Sequence, residues 1–243
     1  MPGNAGGSVT KLFTRVPLRP RVALLALCAV AAAALAPRAS AAPALGRITG
    51  IVHLVAPGGA PLRSGAYGTR RVNPAAPAAA EISNVVVFVK DAPAAPALSA
   101  MRRSIAQRGE SFMPRVTAIT RGSTVEFPNF DPYFHNVFSL SRGATFDLGR
   151  FRQGDRRERT FARTGVVKVF CHIHSEMSAT IRVFDHALFT VPRTDGAFAI
   201  DAVPPGTYQL SAWHERIGDT SQAVEVRAGD TTRVEFSLPV IDR

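Results

Sequence analysis

Short stretches in which apolar and polar residues alternate, separated by turns, run through most of this sequence. Such period-two alternation is typical of strands with one buried face. From Pro114 onward the stretches recur at near-regular spacing, and Arg121-Gly122 and Thr164-Gly165 predict turns between them. The predicted strands are 115–120, 123–128, 134–140, 157–163, 166–171 and 178–184. Many short strands with Gly turns indicate an all-β sandwich or barrel.

The end of the sequence repeats this pattern on a smaller scale. Asp195-Gly196, 204–206 and Gly229-Asp230 predict turns. The predicted strands between and around them are 197–200, 207–213, 223–227 and 231–238. We expect a second, smaller β-sandwich without a reactive cluster, with Tyr208 and Trp213 in its core or on a sheet face.

The first half of the chain is less regular. Gly46–Val55 and 84–90 predict strands, with His53 facing solvent. Residues 56–82 are rich in Ala, Pro and Gly and predict an irregular insertion or linker. We expect a short, basic surface helix over 98–108 and an irregular segment over 146–157.

The N-terminus has the pattern of a secretory signal. A basic segment over 11–21 precedes the apolar run 22–36, and Ala39-Ser40-Ala41 fits a cleavage site. We therefore predict Sec-type export to the periplasm with removal of residues 1–41. A retained membrane anchor is the alternative, but the run is short for a membrane span.

Composition and charge narrow the function classes. The 243 residues are 46% apolar, enough for one large or two small domains with real cores. Removing residues 1–41, which hold five basic residues and no acid, lowers the net charge from +11 to +6. Basic residues do not alternate with aromatic residues, so we expect no nucleic-acid partner.

A basic cluster contains Arg150, Arg152, Arg156, Arg157, Arg159 and Arg163, diluted by Asp155 and Glu158. It is either a solvated flank or a surface that steers an acidic redox partner.

Cysteine usage points to one position. If Cys28 leaves with the signal, the exported chain keeps only Cys171, which has no partner for an internal disulfide. Cys171 is then buried and inert, paired between chains, or bound to metal.

The segment 166–177, V-V-K-V-F-C-H-I-H-S-E-M, favours metal. It predicts a strand that enters a tight loop carrying Cys171, His174 and Met177, and F-H-N-V-F upstream offers His135. A thiolate, two imidazoles and a weak axial thioether form the ligand set of a blue-copper site. One rival is a buried Cys with incidental neighbours. The other is zinc, for which Met is a poor ligand and which usually takes more Cys.

Residues 112–185 resemble the cupredoxins of the plastocyanin, amicyanin and methylamine-utilisation types. The resemblance rests on F-M-P-R-V-T-A-I-T-R-G-S-T-V-E-F, H-N-V and the short loop C-H-I-H-S-E-M. It implies a Greek-key β-sandwich with one type 1 copper held by His135, Cys171, His174 and Met177. It also implies that Asn136 tethers the two ligand loops by hydrogen bonds.

Two details concern the surroundings of this site. His172 should point away from Cys171, either towards residues that support the ligands or towards the surface. The alternative is that His172 itself binds the metal. An apolar rim for weak docking is expected from Pro132, Phe134, Phe138 and Ile173, some of which are alternatively core residues.

Residues 186–240 resemble the carboxypeptidase-regulatory and transthyretin-like β-sandwiches, through T-D-G-A-F-A-I-D-A-V-P-P-G-T-Y-Q-L. The predicted organisation is a signal (1–41), a strand and linker (42–82), a cupredoxin domain (83–185) and an immunoglobulin- or transthyretin-like module (186–243). One hypothesis is that strands from 46–90 complete the last module, with the cupredoxin domain inserted. Its rival is that 84–90 is the first strand of the cupredoxin domain.

These features predict an exported copper protein that transfers one electron to or from a protein partner, and not an enzyme. A copper oxidase or nitrite reductase needs a second copper site, but only scattered histidines remain, at positions 53, 172, 186 and 214. A periplasmic copper-handling protein is the alternative, although only four Met are present. An adhesion or carbohydrate-contact role for the last module has no support beyond fold type.

Overall fold

The computed structural model describes residues 44–55, 81–94 and 98–239. The predicted signal, with Cys28, and residues 56–80 of the predicted linker lie outside these ranges. No helix within the described part of the chain is long and apolar enough to cross a membrane.

The described residues form seventeen strands, so the all-β prediction is confirmed. The strands before residue 115 are β1 (Gly46–Val55), β2 (Val85–Val89), β3 (Arg102–Ser104), β4 (Ala106–Gln107) and β5 (Phe112–Met113). The next are β6 (Val116–Thr120), β7 (Thr124–Pro128), β8 (His135–Ser139), β9 (Phe146–Phe151), β10 (Arg156–Thr160), β11 (Gly165–Phe170) and β12 (Ser178–Phe184). The last are β13 (Phe189–Thr190), β14 (Ala197–Val203), β15 (Gly206–His214), β16 (Gly218–Val226) and β17 (Thr231–Pro239).

A central sandwich is built from residues 102–184. Its larger sheet has the strand order β6-β12-β11-β8-β9, and its smaller sheet has the order β10-β7-β3, with the hairpin β4-β5 beside them. Alternate residues of these strands, such as Val125, Phe127, Val167 and Ile181, point between the sheets and form one buried apolar cluster.

A flanking sandwich is built from both ends of the described chain. One sheet has the order β14-β1-β17 and the other the order β13-β2-β15-β16. Its buried cluster draws on both sheets, for example Ile48 and Phe236 from the first and Val87 and Leu210 from the second. Among the described strands β2 pairs with β13 and β15.

The two sandwiches meet through β2, which is buried on both faces. Val86 and Phe88 point away from the flanking core. They pack with Val116, Ala118 and Phe184 of the central sandwich, and the half-buried Trp213 lies beside them. A run of five apolar residues is what a strand covered on both sides requires.

Two sequence expectations are wrong. The helix expected over 98–108 is replaced by β3 and β4, because Arg102–Ser104 pairs in parallel with β7 and Ile105 enters the central core. The irregular segment expected over 146–157 contains β9, which pairs with β8. The predicted turn at Gly196 is confirmed. Its φ is +82°, and a Cβ there would lie 2.3 Å from the Val52 carbonyl oxygen.

Candidate metal centre

Strand alternation brings the predicted ligands to one end of the central core. Val167, Val169 and Cys171 of the β11 segment face inwards, and Cys171 is 5% exposed. On β8, His135 points inwards and is fully buried. Both side chains therefore reach the same end of the sandwich from separate strands.

The loop after β11 closes tightly on itself. The Met177 amide donates to the His174 carbonyl at 3.1 Å, and the Cys171 amide donates to the Met177 carbonyl at 3.2 Å. Met177 is 1% exposed and belongs to the same buried cluster as Cys171. A short loop with both ends hydrogen-bonded can hold three side chains around one point.

Three donor atoms converge in the way a metal requires. The Nδ1 atoms of His135 and His174 are 3.1 Å apart, and Cys171 Sγ lies 3.9 and 3.8 Å from them respectively. A triangle with these sides has a point about 2.1 Å from every corner, close to the 2.0–2.3 Å of metal–nitrogen and metal–sulfur bonds. These residues form the one cluster of His, Cys or carboxylate side chains within the described ranges that could hold a metal ion.

Asp131 orients the His135 ring. Its carboxylate lies 2.8 Å from His135 Nε2. Because an ionised carboxylate only accepts, Nε2 carries the proton and Nδ1 keeps the lone pair that faces Cys171 and His174. Sequence reasoning missed this residue, although an Asp four positions before a His in a turn-rich loop was a weak signal.

The β4–β5 hairpin loop holds Asp131 in turn. The amides of Gly109 and Glu110 donate to its two carboxylate oxygens at 2.6 and 3.0 Å. Burial raises the pKa of Asp131, but the hydrogen bonds from Glu110, His135 and Gly109 outweigh burial and lower the pKa. Asp131 therefore stays ionised and fixes the His135 ring over the physiological pH range.

The predicted tether by Asn136 is confirmed. Its side-chain oxygen accepts a hydrogen bond from the His172 amide at 3.3 Å, which links β8 to the Cys171 loop. Its Nδ2 donates to Asp147 and to the Gly149 carbonyl on β9. Asn136 is 2% exposed, so these bonds are shielded from water.

His172 lies outside the donor cluster. Its ring is exposed and stacks on Phe138, with the ring centroids 3.7 Å apart. The surface position expected for His172 is therefore observed. The other histidines also stand apart: His53 is exposed on β1, His186 accepts from the Leu188 amide, and His214 lies 3.1 Å from Glu81.

Exposed apolar side chains lie on the two segments that carry His135 and the half-buried His174. Phe134 is 55% exposed and Ile173 is 42% exposed, and Pro132, two residues before Phe134, is also exposed. Tyr133 packs against the rings of both His135 and His174. Phe138, also expected on this rim, is half-buried on the outer face of β8.

Comparison with known proteins gives partial likenesses. Residues 186–234 match the family described as polysaccharide lyase family 4, domain II. No curated protein matches the chain.

Several solved structures are similar to part of the chain. A Cu-containing nitrite reductase from Thermus scotoductus shares 30% identity over 38% of this chain and 24% of its own, with a TM-score of 0.34. The chain therefore spans about a quarter of the nitrite reductase's length. A purple cupredoxin from Nitrosopumilus maritimus shares 27% identity over 33% of this chain and 98% of its own, with a TM-score of 0.31. The reduced state of an amicyanin mutant shares 17% identity over 40% of this chain and 97% of its own, with a TM-score of 0.31.

Proposed function

We propose that this chain is an exported type 1 copper protein that transfers single electrons. The observation that carries the proposal is the buried triangle of His135 Nδ1, His174 Nδ1 and Cys171 Sγ. Met177, buried beside Cys171, would be the weak axial ligand. Two imidazoles, one thiolate and an axial thioether select copper over zinc.

The copper, when bound, would supply the one-electron change between Cu(I) and Cu(II). The chain would keep the donors in one arrangement for both states. Asp131 holds the His135 ring, Asn136 joins β8 to the Cys171 loop, and the loop amides close on Met177. Donors that are already fixed need little rearrangement when the charge on the metal changes.

The electron would enter and leave through His174. It is the one donor of the cluster that is only half-buried, its ring packs against the partly exposed Tyr133, and its chain neighbour Ile173 is exposed. A small apolar surface of this kind suits the brief docking of a redox partner protein.

Burial also bears on the alternatives. A copper-handling protein needs exchangeable ligands, whereas His135, Cys171 and Met177 are at most 5% exposed. An enzyme of the nitrite reductase type needs several more histidines for a second metal site, and His53, His172, His186 and His214 are scattered along the sequence. We therefore favour an electron carrier over both alternatives.

Location and domain organisation belong to the same proposal. Residues 1–41 would direct export to the periplasm, where the lone Cys171 would be protected from oxidation by the metal. The cupredoxin-like central sandwich would be inserted into a flanking module made by β1, β2 and the strands after residue 186.

Copper titration of the chain from Ala42 onward tests the proposal. We expect one Cu(II) per chain, an intense thiolate-to-copper absorption band and a narrow copper hyperfine splitting. Cys171→Ser should abolish the band, and the control His172→Ala should keep it because that ring faces away from the donors. Colourless binding that is indifferent to Cys171→Ser would overturn the proposal in favour of copper handling.

A further inference from the structure

The open edge of the central sandwich, between the edge strands β9 and β10, carries a row of exposed arginines. Arg157 lies over the Phe151 ring, with its guanidinium carbon 5.4 Å from the ring centroid. Arg159 lies over Phe146 at 5.7 Å. Arg163 packs against Gly143, just before β9. These three arginines follow β9 along its length, and we call them the arginine edge.

The charges of the arginine edge are not neutralised. None of its three members belongs to the ion pairs found across the described residues, because the neighbouring carboxylates are already occupied. These pairs are Glu126 with Arg102 and Arg156, Glu158 with Arg102, and Asp155 with Arg152. From residue 98 to 185 the sequence has fourteen Lys and Arg against eight Asp and Glu, so the local excess is positive.

Packing prepares these side chains for binding. The Phe151 and Phe146 rings support the planar guanidinium groups of Arg157 and Arg159. A guanidinium held in this way loses less side-chain freedom on association and presents its donors to a carboxylate in pairs. The surface is therefore suited to carboxylates.

The arginine edge is continuous with the ligand end of the sandwich. The turn after β9 hydrogen-bonds to the loop that leads to His135. The Asn129 amide donates to the Asp155 carbonyl at 3.0 Å, and the Gln153 side chain donates to the Phe130 carbonyl at 3.1 Å. Phe151 itself is paired with His135. A partner seated along β9 would reach the exposed rings near His174.

We propose that the arginine edge is the docking surface for an acidic redox partner protein. This inference rests on the proposed electron-transfer function. We favour an acidic protein over a linear polyanion, because only a partner that exchanges electrons gains from binding next to the ligand end. Unpaired charges beside the electron exit would raise the association rate at low salt.

Stopped-flow kinetics with the copper-loaded protein test the proposal. The probes are reduced plant-type ferredoxin, an acidic protein, and reduced cytochrome c, a basic protein. Arg157→Gln/Arg159→Gln should lower the ferredoxin rate constant about tenfold at low ionic strength and not at high ionic strength. The cytochrome c rate should stay the same or rise. Gln keeps part of the packing on the phenyl rings.

The matched control is Arg193→Gln/Arg233→Gln, which removes the same charge from exposed positions of the flanking sandwich. It should change the ferredoxin rate less than twofold. Equal losses in both variants would mean that only net charge matters and would overturn the docking surface. The same follows if the edge variant keeps its ferredoxin kinetics but loses binding to heparin or anionic vesicles.

Binding of ferredoxin to the metal-free protein separates the two proposals. Salt-sensitive binding that needs Arg157 and Arg159, in a protein that forms no thiolate-to-copper band, would retain the docking surface and reject the copper function. If the copper-loaded protein shows the thiolate-to-copper band and the ferredoxin rate constant is the same in the wild type and both variants, only the docking surface is rejected.

Discussion

The cores of the two sandwiches differ in the polar groups that they bury. The flanking sandwich buries a cluster of aliphatic and aromatic side chains, from Ile48 to Leu238, together with the polar Ser211 and His214 of β15. The central core is apolar in its middle, but its ligand end buries five polar residues within the described range: Gln107, Asn129, Asp131, His135 and Asn136. Burying polar groups costs free energy unless each finds a partner.

The hydrogen bonds at the ligand end show how most of this cost is offset. Asn129 donates to the carbonyls of Tyr133 and Phe151, and Asp131 accepts from two amides and one ring. The only unpartnered buried side-chain polar atoms found in the described ranges, Gln107 Oε1 and Thr117 Oγ1, also lie in the central sandwich. Buried polar groups are therefore concentrated around the candidate site in the central sandwich and are fewer in the flanking one. Four changes would break or sharpen this comparison.

The largest expected effect comes from the flanking core. Phe236→Ala removes a ring that is 2% exposed and should lower the free energy of unfolding by about 3–5 kcal/mol. The copper band of the folded fraction should not change, because the candidate ligands lie on other strands. Denaturant unfolding measures the first effect and visible absorption the second.

The control for this change is Phe134→Ala, which removes an exposed ring on the central sandwich and should cost less than about 0.5 kcal/mol. If Phe236→Ala leaves too little folded protein, Phe236→Leu gives a smaller cavity and the same test. A changed copper band in either flanking variant would contradict the division of roles between the sandwiches.

The second change acts on the junction. Phe88→Ala removes the ring that meets Phe184, with centroids 5.1 Å apart, and Arg182 at 4.4 Å, and should cost about 3 kcal/mol. Trp213, the only Trp of the chain, packs at this junction. We expect its fluorescence to change at a lower denaturant concentration than the circular dichroism, since the sandwiches would unfold separately.

Val87→Ala is the matched variant, because Val87 lies on the same strand but faces the flanking core. It should lower stability with coincident fluorescence and dichroism transitions. Coincident transitions in Phe88→Ala as well would mean that the junction does not couple the two sandwiches.

Sequence patterns predicted the strands well where each strand buries alternate residues against a neighbour in its own sandwich. The alternation in β16 and β17 identifies both strands, and G-V-V-K-V-F identifies β11 and its inward Cys171. The candidate donors were also found, because a thiol, an imidazole and a thioether within one short loop are the ligand types that copper combines.

Long-range pairing accounts for the failures. β3 has three exposed residues and exists because it pairs with β7, while β9 contains Gly149 at a φ of +70° and exists because it pairs with β8. Asp131 was missed because its partners Gly109 and Glu110 come from a hairpin more than twenty residues earlier. V-V-V-F-V predicts β2 as a strand but does not identify what covers each of its two faces.

The third change tests the support of the site. Asp131→Asn keeps the size of the side chain but removes the charge that fixes the protonated Nε2 of His135. Loss of such a partner typically weakens metal binding 10–100-fold. Competition with a copper chelator measures the affinity. Asp155→Asn, at a partly exposed position on the β9–β10 turn, should change it less than threefold.

The smallest effect concerns the ionic link between the sandwiches. Glu215, in the turn between β15 and β16, accepts hydrogen bonds from Arg115 at 2.6 Å, Lys168 at 3.0 Å and Thr180 at 3.0 Å. Burial raises the pKa of Glu215, but the hydrogen bonds from Lys168 and Arg115 outweigh it and lower the pKa to about 2. Glu215→Gln should cost about 1–2 kcal/mol at pH 7, since both cations are partly exposed and screened.

The lowered pKa of Glu215 determines how its contribution to the unfolding free energy changes with pH. A carboxyl whose pKa falls from 4.5 to about 2 on folding contributes its full stability above pH 4.5 and loses it as the pH approaches 2. The wild type and Glu215→Gln should therefore differ in unfolding free energy at pH 7 and converge over that window. Glu225→Gln, which breaks an exposed pair with Arg227, should change stability by less than about 0.5 kcal/mol at any pH. A difference that persists at pH 2 would mean that Glu215 contributes by packing and not by its charge.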